Sequence, residues 1–393
     1  MYEIDYVAHV GQHIMTATHP HYRAIYENLP DGVRFKFARE EINPDYNKYI
    51  NKVSKVALDI GAKQKGVDFF IKNIHEGCSN QPKANLCFVP THPYFGPEKH
   101  IINLEHWTSY YTYLVSEYVG NGLEVPIDDV EWGKVVISVM LQENFSYLCS
   151  HMHDTIETFY HITKDFPQIK RKFVYLPLAS PESQIEKEPK KFEKNINLLF
   201  TNSYGGQIPN FIIRGGNETF NAALHIMEKY HNVTLTSIGP CPLINHPRVR
   251  QYQGHIEDEV FNQIIDDTHI LLIPAMRIHS ISLVKALCNG IIPIVSDGWG
   301  FDEYIQDGYN GFIVEGQKGY TTWKDENNIF QEDGGKKPSA ELAFNIAKIL
   351  EFIVQNPYNI EDLSKNCLDY AKDNFNIENR NKILLNMIKE SYD

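Results

Sequence analysis

The stretch Ile270–Glu315, ILLIPAMRIHSISLVKALCNGIIPIVSDGWGFDEYIQDGYNGFIVE, decides the fold. An apolar run, Ile270 to Ile273, stops at Pro274 and gives way to a short polar loop. The spacing then predicts a helix opening at Ser280 and closing at Asn289-Gly290, followed by a second apolar run, Ile291 to Val295. A strand, a loop, a helix and a strand in that order belong to a parallel sheet, whose carboxyl edge is where ligands bind. The helix start, just after His279, offers the backbone N–H groups of Ser280, Ile281 and Ser282, and such an end suits a phosphate.

The same alternation extends in both directions. Downstream of residue 195, Ile196–Phe200, Val233–Ile238 and Val249–Gln253 read as strands. Asn217–Tyr230 and Glu257–Asp267 read as helices, and Ser339 as the N-cap of a helix carrying Leu342, Ile346, Ile349 and Ile353. Upstream, Tyr6–Val10, Val33–Phe37, Val56–Ile60, Leu86–Val89, Ile101–Leu104, Tyr147–Ser150 and Phe173–Pro177 are strand candidates, rich in β-branched and aromatic residues. Between the halves lies SPESQIEKEPKKFEKN, charged, with two prolines and almost nothing apolar. It reads as a surface linker. The expected organisation is α/β, with two doubly wound domains facing a cleft. They are an acceptor-side domain 1–179 and a donor-side domain 196–374, joined by linker 180–195. A last helix in 375–393 crosses back to the first domain.

Composition removes several classes. A net charge of −13 speaks against a nucleic-acid partner, which needs a basic face. No apolar run approaches the ~20 residues that span a bilayer, and the start MYEIDYVAHV reads as a strand and not as an export signal. The six cysteines are scattered without a CxxC pair, as reduced and buried thiols would be. The expected setting is cytoplasmic, with room for peripheral membrane contact.

Lys285-Ala-Leu-Cys-Asn-Gly290, Pro293-Ile-Val-Ser-Asp297 and Glu303-Tyr-Ile-Gln-Asp-Gly-Tyr-Asn-Gly-Phe-Ile-Val314 form a recognisable series. Arg214-Gly215-Gly216, and later Gly239-Pro240, precede it. From Ile196 to about Val314 the chain resembles the nucleotide-sugar-binding half of GT-B fold glycosyltransferases, the group 1 or family 4 set. The resemblance implies a Rossmann-like pair of domains and transfer of a sugar from a UDP- or GDP-sugar to a glycan or lipid-linked acceptor. It also implies retention at the anomeric carbon, with no metal and no cofactor beyond the donor itself.

Two positions depart from that pattern. The family's paired carboxylates fall on Arg277 and Lys285, and neither side chain can accept a hydrogen bond. Its basic residue after the first strand of this half is replaced by Asn202 and Ser203, while Arg214 keeps a neighbouring positive charge. One reading is a rearranged phosphate cradle built from Arg214, Arg277, Lys285 and the helix start. A second is a decayed pocket, giving a non-catalytic sugar-nucleotide or glycan-binding protein on the same fold, and a third is a donor sugar carrying its own carboxylate, such as a uronic acid, that meets Arg277.

In the first half, Ile101–His106 resembles the family's strand ending in a histidine that faces the donor sugar, so His106 is the catalytic candidate. Glu105 and Gly11 are acceptor-side candidates, Gly11 also reading as an ordinary turn glycine. The aromatic run Trp107–Tyr113 reads as acceptor stacking or as core. His151-x-His153-Asp154 and His19-x-His21 lack a local third metal ligand, so solvated or capping roles are expected, with Ser150 as a helix N-cap.

Overall fold

Short apolar runs of the first half assemble into one sheet. The computed structural model describes residues 1–6, 24–37, 46–68, 85–90, 94, 97–107, 125–126, 133–192, 194–202, 208–254, 256–317, 329–330 and 338–392. The strands are β1 (Tyr2–Tyr6), β2 (Val33–Phe37), β3 (Leu86–Pro90), β4 (Lys99–Leu104), β5 (Val125–Pro126), β6 (Phe145–Ser150) and β7 (Phe173–Tyr175). All but β5 form a six-stranded sheet in the order β2-β1-β3-β4-β6-β7, with parallel pairing throughout. Leu86 to Pro90 are all buried, as expected of a central strand covered on both faces.

The second half repeats the plan with β8 (Ile196–Thr201), β9 (Val233–Ile238), β10 (Val249–Tyr252), β11 (Ile270–Ile273), β12 (Ile292–Ser296) and β13 (Phe312–Val314). Their order is β10-β9-β8-β11-β12-β13, again all parallel. A short strand, β14 (Ile329–Phe330), pairs antiparallel with β5.

The helices are α1 (Tyr46–Asp59), α2 (Gly133–Met140), α3 (His153–Ile162), α4 (Ile208–Ile213) and α5 (Gly216–Lys229). They continue with α6 (Asp258–Asp267), α7 (Ser280–Cys288), α8 (Ala340–Gln355), α9 (Asn359–Asn374) and α10 (Ile377–Tyr392). Ser339 caps α8, its hydroxyl accepting from Leu342 N at 3.1 Å. Among the described residues no helix is long and apolar enough to cross a membrane.

The chain divides into two compact units. One comprises Met1–Ala179, Trp323–Phe330 and Ile377–Asp393, and the other Ser180–Thr322 and Gln331–Asn376. In the first, α10 lays Leu384, Met387 and Ile388 into the core formed by Ile4, Tyr6, Leu86, Phe88 and Ile101.

Three sequence expectations are corrected. Val56–Ile60 is not a strand: it closes α1, whose buried Tyr49, Ile50, Val53 and Ala57 recur at helical spacing. The first strand is Tyr2–Tyr6, and residues 7–10 lie outside the described set. Ser180–Asn195 is not a free spacer, because its polar groups are bound to the second unit. Ser180 N and Ser183 Oγ donate to Phe375 O at 3.1 and 2.8 Å. Lys190 N donates to Ser364 Oγ at 2.7 Å, and Lys190 Nζ donates to Ile265 O at 3.0 Å.

Candidate functional site

In the second sheet the strand order reverses between β8 and β11. Chain leaving these neighbouring strands turns to opposite faces, which opens a crevice at their carboxyl ends. The loop 274–279 borders this place and is fixed by backbone bonds. Met276 N donates to Ile213 O at 3.2 Å, Trp299 N to Met276 O at 3.0 Å and Ile278 N to Trp299 O at 2.9 Å. Ser296 Oγ donates to Ala275 O. Gly298 permits this packing, since a Cβ there would lie 2.5 Å from Ala275 O.

The loop delivers α7, whose N-cap His279 makes no side-chain capping bond. The helix's own ladder starts at Leu283 N, which donates to His279 O at 3.1 Å. Ser280 is buried, whereas Ile281 and Ser282 are half-buried. Arg277 is exposed, and its guanidinium has no bonding partner among the described residues. Arg214 reaches the same edge, its Nη1 3.5 Å from Thr201 O at the end of β8. The neighbouring Gly215, at φ 72, is the N-cap of α5 and lies tight against Pro274: a Cβ would be 2.3 Å from the Pro274 carbonyl oxygen. Arg214, Arg277 and the start of α7 therefore share one sheet edge.

Two other expected cradle residues are engaged in structure. Asn202 is buried and donates through Nδ2 to Pro240 O at 2.7 Å, which holds the Gly239-Pro240 turn. Lys285 lies five residues into α7, about 7.5 Å below Ser280 along the axis. Its Nζ donates to Glu182 Oε1 at 2.6 Å, and Asn289 Nδ2 donates to Glu182 Oε2 at 2.9 Å. Lys187 Nζ donates to Asn289 Oδ1 and completes the group. Burial pushes the Glu182 carboxyl up, but Lys285, Asn289 and Lys187 outweigh it and hold it below the ordinary carboxylate range. The Lys285 side chain also lines an apolar recess with Leu199, Phe261, Ile265 and Leu271, its Nζ 5.8 Å from the centre of the Phe261 ring. Lys285 thus fastens the 180–195 segment to α7. Glu182 escaped the sequence reading because its partner lies 103 positions away. Ser203 lies outside the described residues.

The remaining motif residues build loops. Asp297 Oδ1 accepts from Gly316 N at 3.0 Å and Gln317 N at 2.7 Å. Buried Asn310 accepts from Gln306 N at 2.8 Å and donates to Tyr304 O at 3.1 Å. Asp307 Oδ1 accepts from Ile313 N at 2.9 Å.

In the first unit, Glu105 and His106 directly follow β4. His106 is 5% exposed and stacks on Trp107, with ring centroids 5.9 Å apart. Fully buried His151 directly follows the neighbouring strand β6, and its Nε2 lies 4.0 Å from Glu105 Oε1. His153, at the start of α3, stacks flat on Tyr175 at 3.8 Å. Ser150 is not the N-cap of α3, which is Met152; its hydroxyl instead accepts from Met152 N at 3.0 Å and tightens the preceding turn. Among the described residues no three His, Cys, Asp or Glu side chains are grouped to hold a metal. Gly11, His19, His21 and the run Thr108–Tyr113 lie outside the described residues.

No family model matches the chain. No curated protein matches it either. Solved structures do. Sucrose-phosphate synthase from Thermosynechococcus elongatus shares 12% identity over 100% of this chain and 99% of its own, with a TM-score of 0.56. A glycosyltransferase from Rickettsia africae shares 11% identity over 100% and 99%, at 0.54. WaaG, a glycosyltransferase involved in lipopolysaccharide biosynthesis, shares 12% over 97% and 99%, at 0.54. The chain spans little more than half of the pneumococcal O-GlcNAc transferase GtfA (57%, TM-score 0.48) and of TarM (54%, TM-score 0.49). The architecture, two parallel six-stranded sheets with their helices, is the GT-B fold.

Proposed function

We propose that the protein is a glycosyltransferase using a nucleotide-sugar donor, with the donor's diphosphate against the amino end of α7. One observation supports this above the others. At the edge where the second sheet reverses order, a helix start without a side-chain cap stands beside Arg277, whose exposed guanidinium has no bonding partner among the described residues. Arg214 adds a second cation at the same edge. Charge-assisted bonds to phosphate are strong, and the helix dipole adds to them.

As the bond between sugar and diphosphate breaks, negative charge grows on the leaving group. The N–H groups of α7 are held in place before the reaction, and Arg277 and Arg214 add positive charge beside them to stabilise the leaving group. This favours transfer without a divalent metal, and the motif resemblance adds retention of anomeric configuration. Lys285 steadies α7 through Glu182 and stays apart from the diphosphate. In the first unit, His106 would hydrogen-bond a donor-sugar hydroxyl, with Glu105 on the acceptor side. UDP is the first nucleotide to test, because a neighbour of the same fold, from Burkholderia xenovorans, is named a UDP-forming trehalose-phosphate synthase. The acceptor class is a glycan or lipid-linked hydroxyl.

Calorimetry with UDP and GDP tests the donor half. Arg277→Ala should weaken the preferred nucleotide by about tenfold or more, as loss of a charged hydrogen bond does, with no change in unfolding midpoint. Incubation with labelled nucleotide sugars in EDTA tests the chemistry through transfer or slow donor hydrolysis. Nucleotide binding without turnover across the panel would select the non-catalytic alternative, which the cations at the two carboxylate positions favour. Absence of any nucleotide binding would refute the transferase reading and leave only a glycan-binding role for the alternative.

A further inference from the structure

At the carboxyl edge of the first sheet, three adjacent strands each present a ring or a carboxylate. Leu104 of β4 pairs with Ser150 of β6, and Ser150 pairs with Tyr175 of β7. Neighbouring strands lie about 4.8 Å apart, so Glu105, His151 and the His153–Tyr175 stack follow one another along roughly 10 Å of edge. Their exposures differ in an informative way. His151 is fully buried, the Glu105 side chain keeps 25% exposure, and His153 is exposed on top of half-buried Tyr175. Only Glu105 and the stack can meet a ligand.

His151 Nε2 stands 4.0 Å from Glu105 Oε1. A neutral ring N–H or a charged imidazolium at that position attracts the carboxylate, and the attraction is stronger away from water. The backbone on each side is also secured. Thr155 Oγ1 donates to Glu105 O at 3.3 Å, and Ser150 Oγ accepts from Met152 N at 3.0 Å. A carboxylate held in one orientation loses little freedom when it accepts a hydroxyl. A flat ring pair beside it offers a face to the C–H side of a sugar ring.

We infer that His151 is a positioning residue that orients Glu105 to accept a hydroxyl of a pyranose acceptor lying against the His153–Tyr175 stack. The inference rests on the transferase reading and adds the acceptor's class and the residue that arranges its receptor. Neither His151 nor the stack belongs to the donor edge on the other unit.

The test is saturation-transfer NMR with methyl glycosides of glucose, galactose, mannose and N-acetylglucosamine, on the full chain with and without UDP. At least one glycoside should give signals in the wild type. Glu105→Gln should weaken that binding by about tenfold or more, and His151→Phe should weaken it to a smaller degree. His151→Gln, which restores an N–H donor, should recover part of the loss. In the Glu105→Gln background, His151→Phe should have no further effect, because the ring acts only through the carboxylate. UDP affinity should be the same in every variant, which shows that each one folds and tests the donor reading separately. Additive losses from Glu105→Gln and His151→Phe would overturn the positioning role. So would UDP binding in the wild type with no signal from any glycoside.

Discussion

β4 leads into Glu105 and His106 at one end and carries His100 near the other, and His100 makes the strand sensitive to acid. Its ring is fully buried between Tyr94 and Phe145, with centroids 5.0 and 5.6 Å away, and Nδ1 lies 3.1 Å from Glu98 O. Burial holds its pKa down to about 4; the bond to Glu98 opposes this and the charge of Lys172 adds to it. In the unfolded chain the same ring takes a proton near pH 6.5. Between those values the unfolded state binds more protons, so its population gains as pH falls. The stability is complete above about pH 6.5, erodes below it, and is gone by about pH 4, a total of about 3.4 kcal/mol for 2.5 pH units at 1.36 each. At about pH 4.5 the loss is roughly 2.5 kcal/mol. His100→Phe keeps a ring between Tyr94 and Phe145 and removes the titration. It should cost about 1 kcal/mol near pH 7.5 through the lost bond to Glu98 O, and then lose about 2.5 kcal/mol less than wild type on moving to about pH 4.5. Urea unfolding at both pH values, followed by Trp fluorescence, measures the difference. Equal losses in the two proteins would refute the reasoning.

Two further substitutions separate fastening from binding in the second unit. Lys285→Met removes the 2.6 Å ion pair to a Glu182 that is mostly sheltered, so urea unfolding should register a loss of about 1–2 kcal/mol while calorimetry shows UDP affinity unchanged within about twofold; a large drop in affinity at normal stability would instead return Lys285 to the phosphate cradle. Gly298→Ala places a Cβ 2.5 Å from Ala275 O and 2.6 Å from Met276 O, and since backbone cannot yield cheaply, about 2 kcal/mol of stability and most nucleotide affinity should go together, a result that unchanged calorimetry would contradict.

Much of this architecture was legible because parallel strands buried on both faces leave continuous apolar runs, as at Ile270–Ile273 and Ile292–Val295. Val56–Ile60 was misread because a short β-branched run has no visible period until Tyr49, Ile50 and Val53 are counted with it. The 180–195 segment looked solvated because its charges are conspicuous and their partners are remote: Glu182 meets Lys285, and Lys190 meets backbone carbonyls at Ile265 and Asp266. His151 was visible only as half of a metal-like pair. Its neighbour in space, Glu105, comes from a different strand, and no local spacing encodes that meeting.

The motif itself divides along a physical line. Ser296 joins the loops after β11 and β12, Asp297 binds the chain leaving β13, and Asn310 with Asp307 shapes the turn before β13. Each of these residues commits polar atoms to the protein's own backbone, whereas Arg277 and Lys285 are cations in the neighbouring loop and helix. Arg277 is an exposed cation without a bonding partner among the described residues, and Lys285 is paired with Glu182. Lys285 is engaged with Glu182 five residues into α7, whereas Arg277 stands next to the helix start, so Arg277 is the residue on which the donor reading stands or falls.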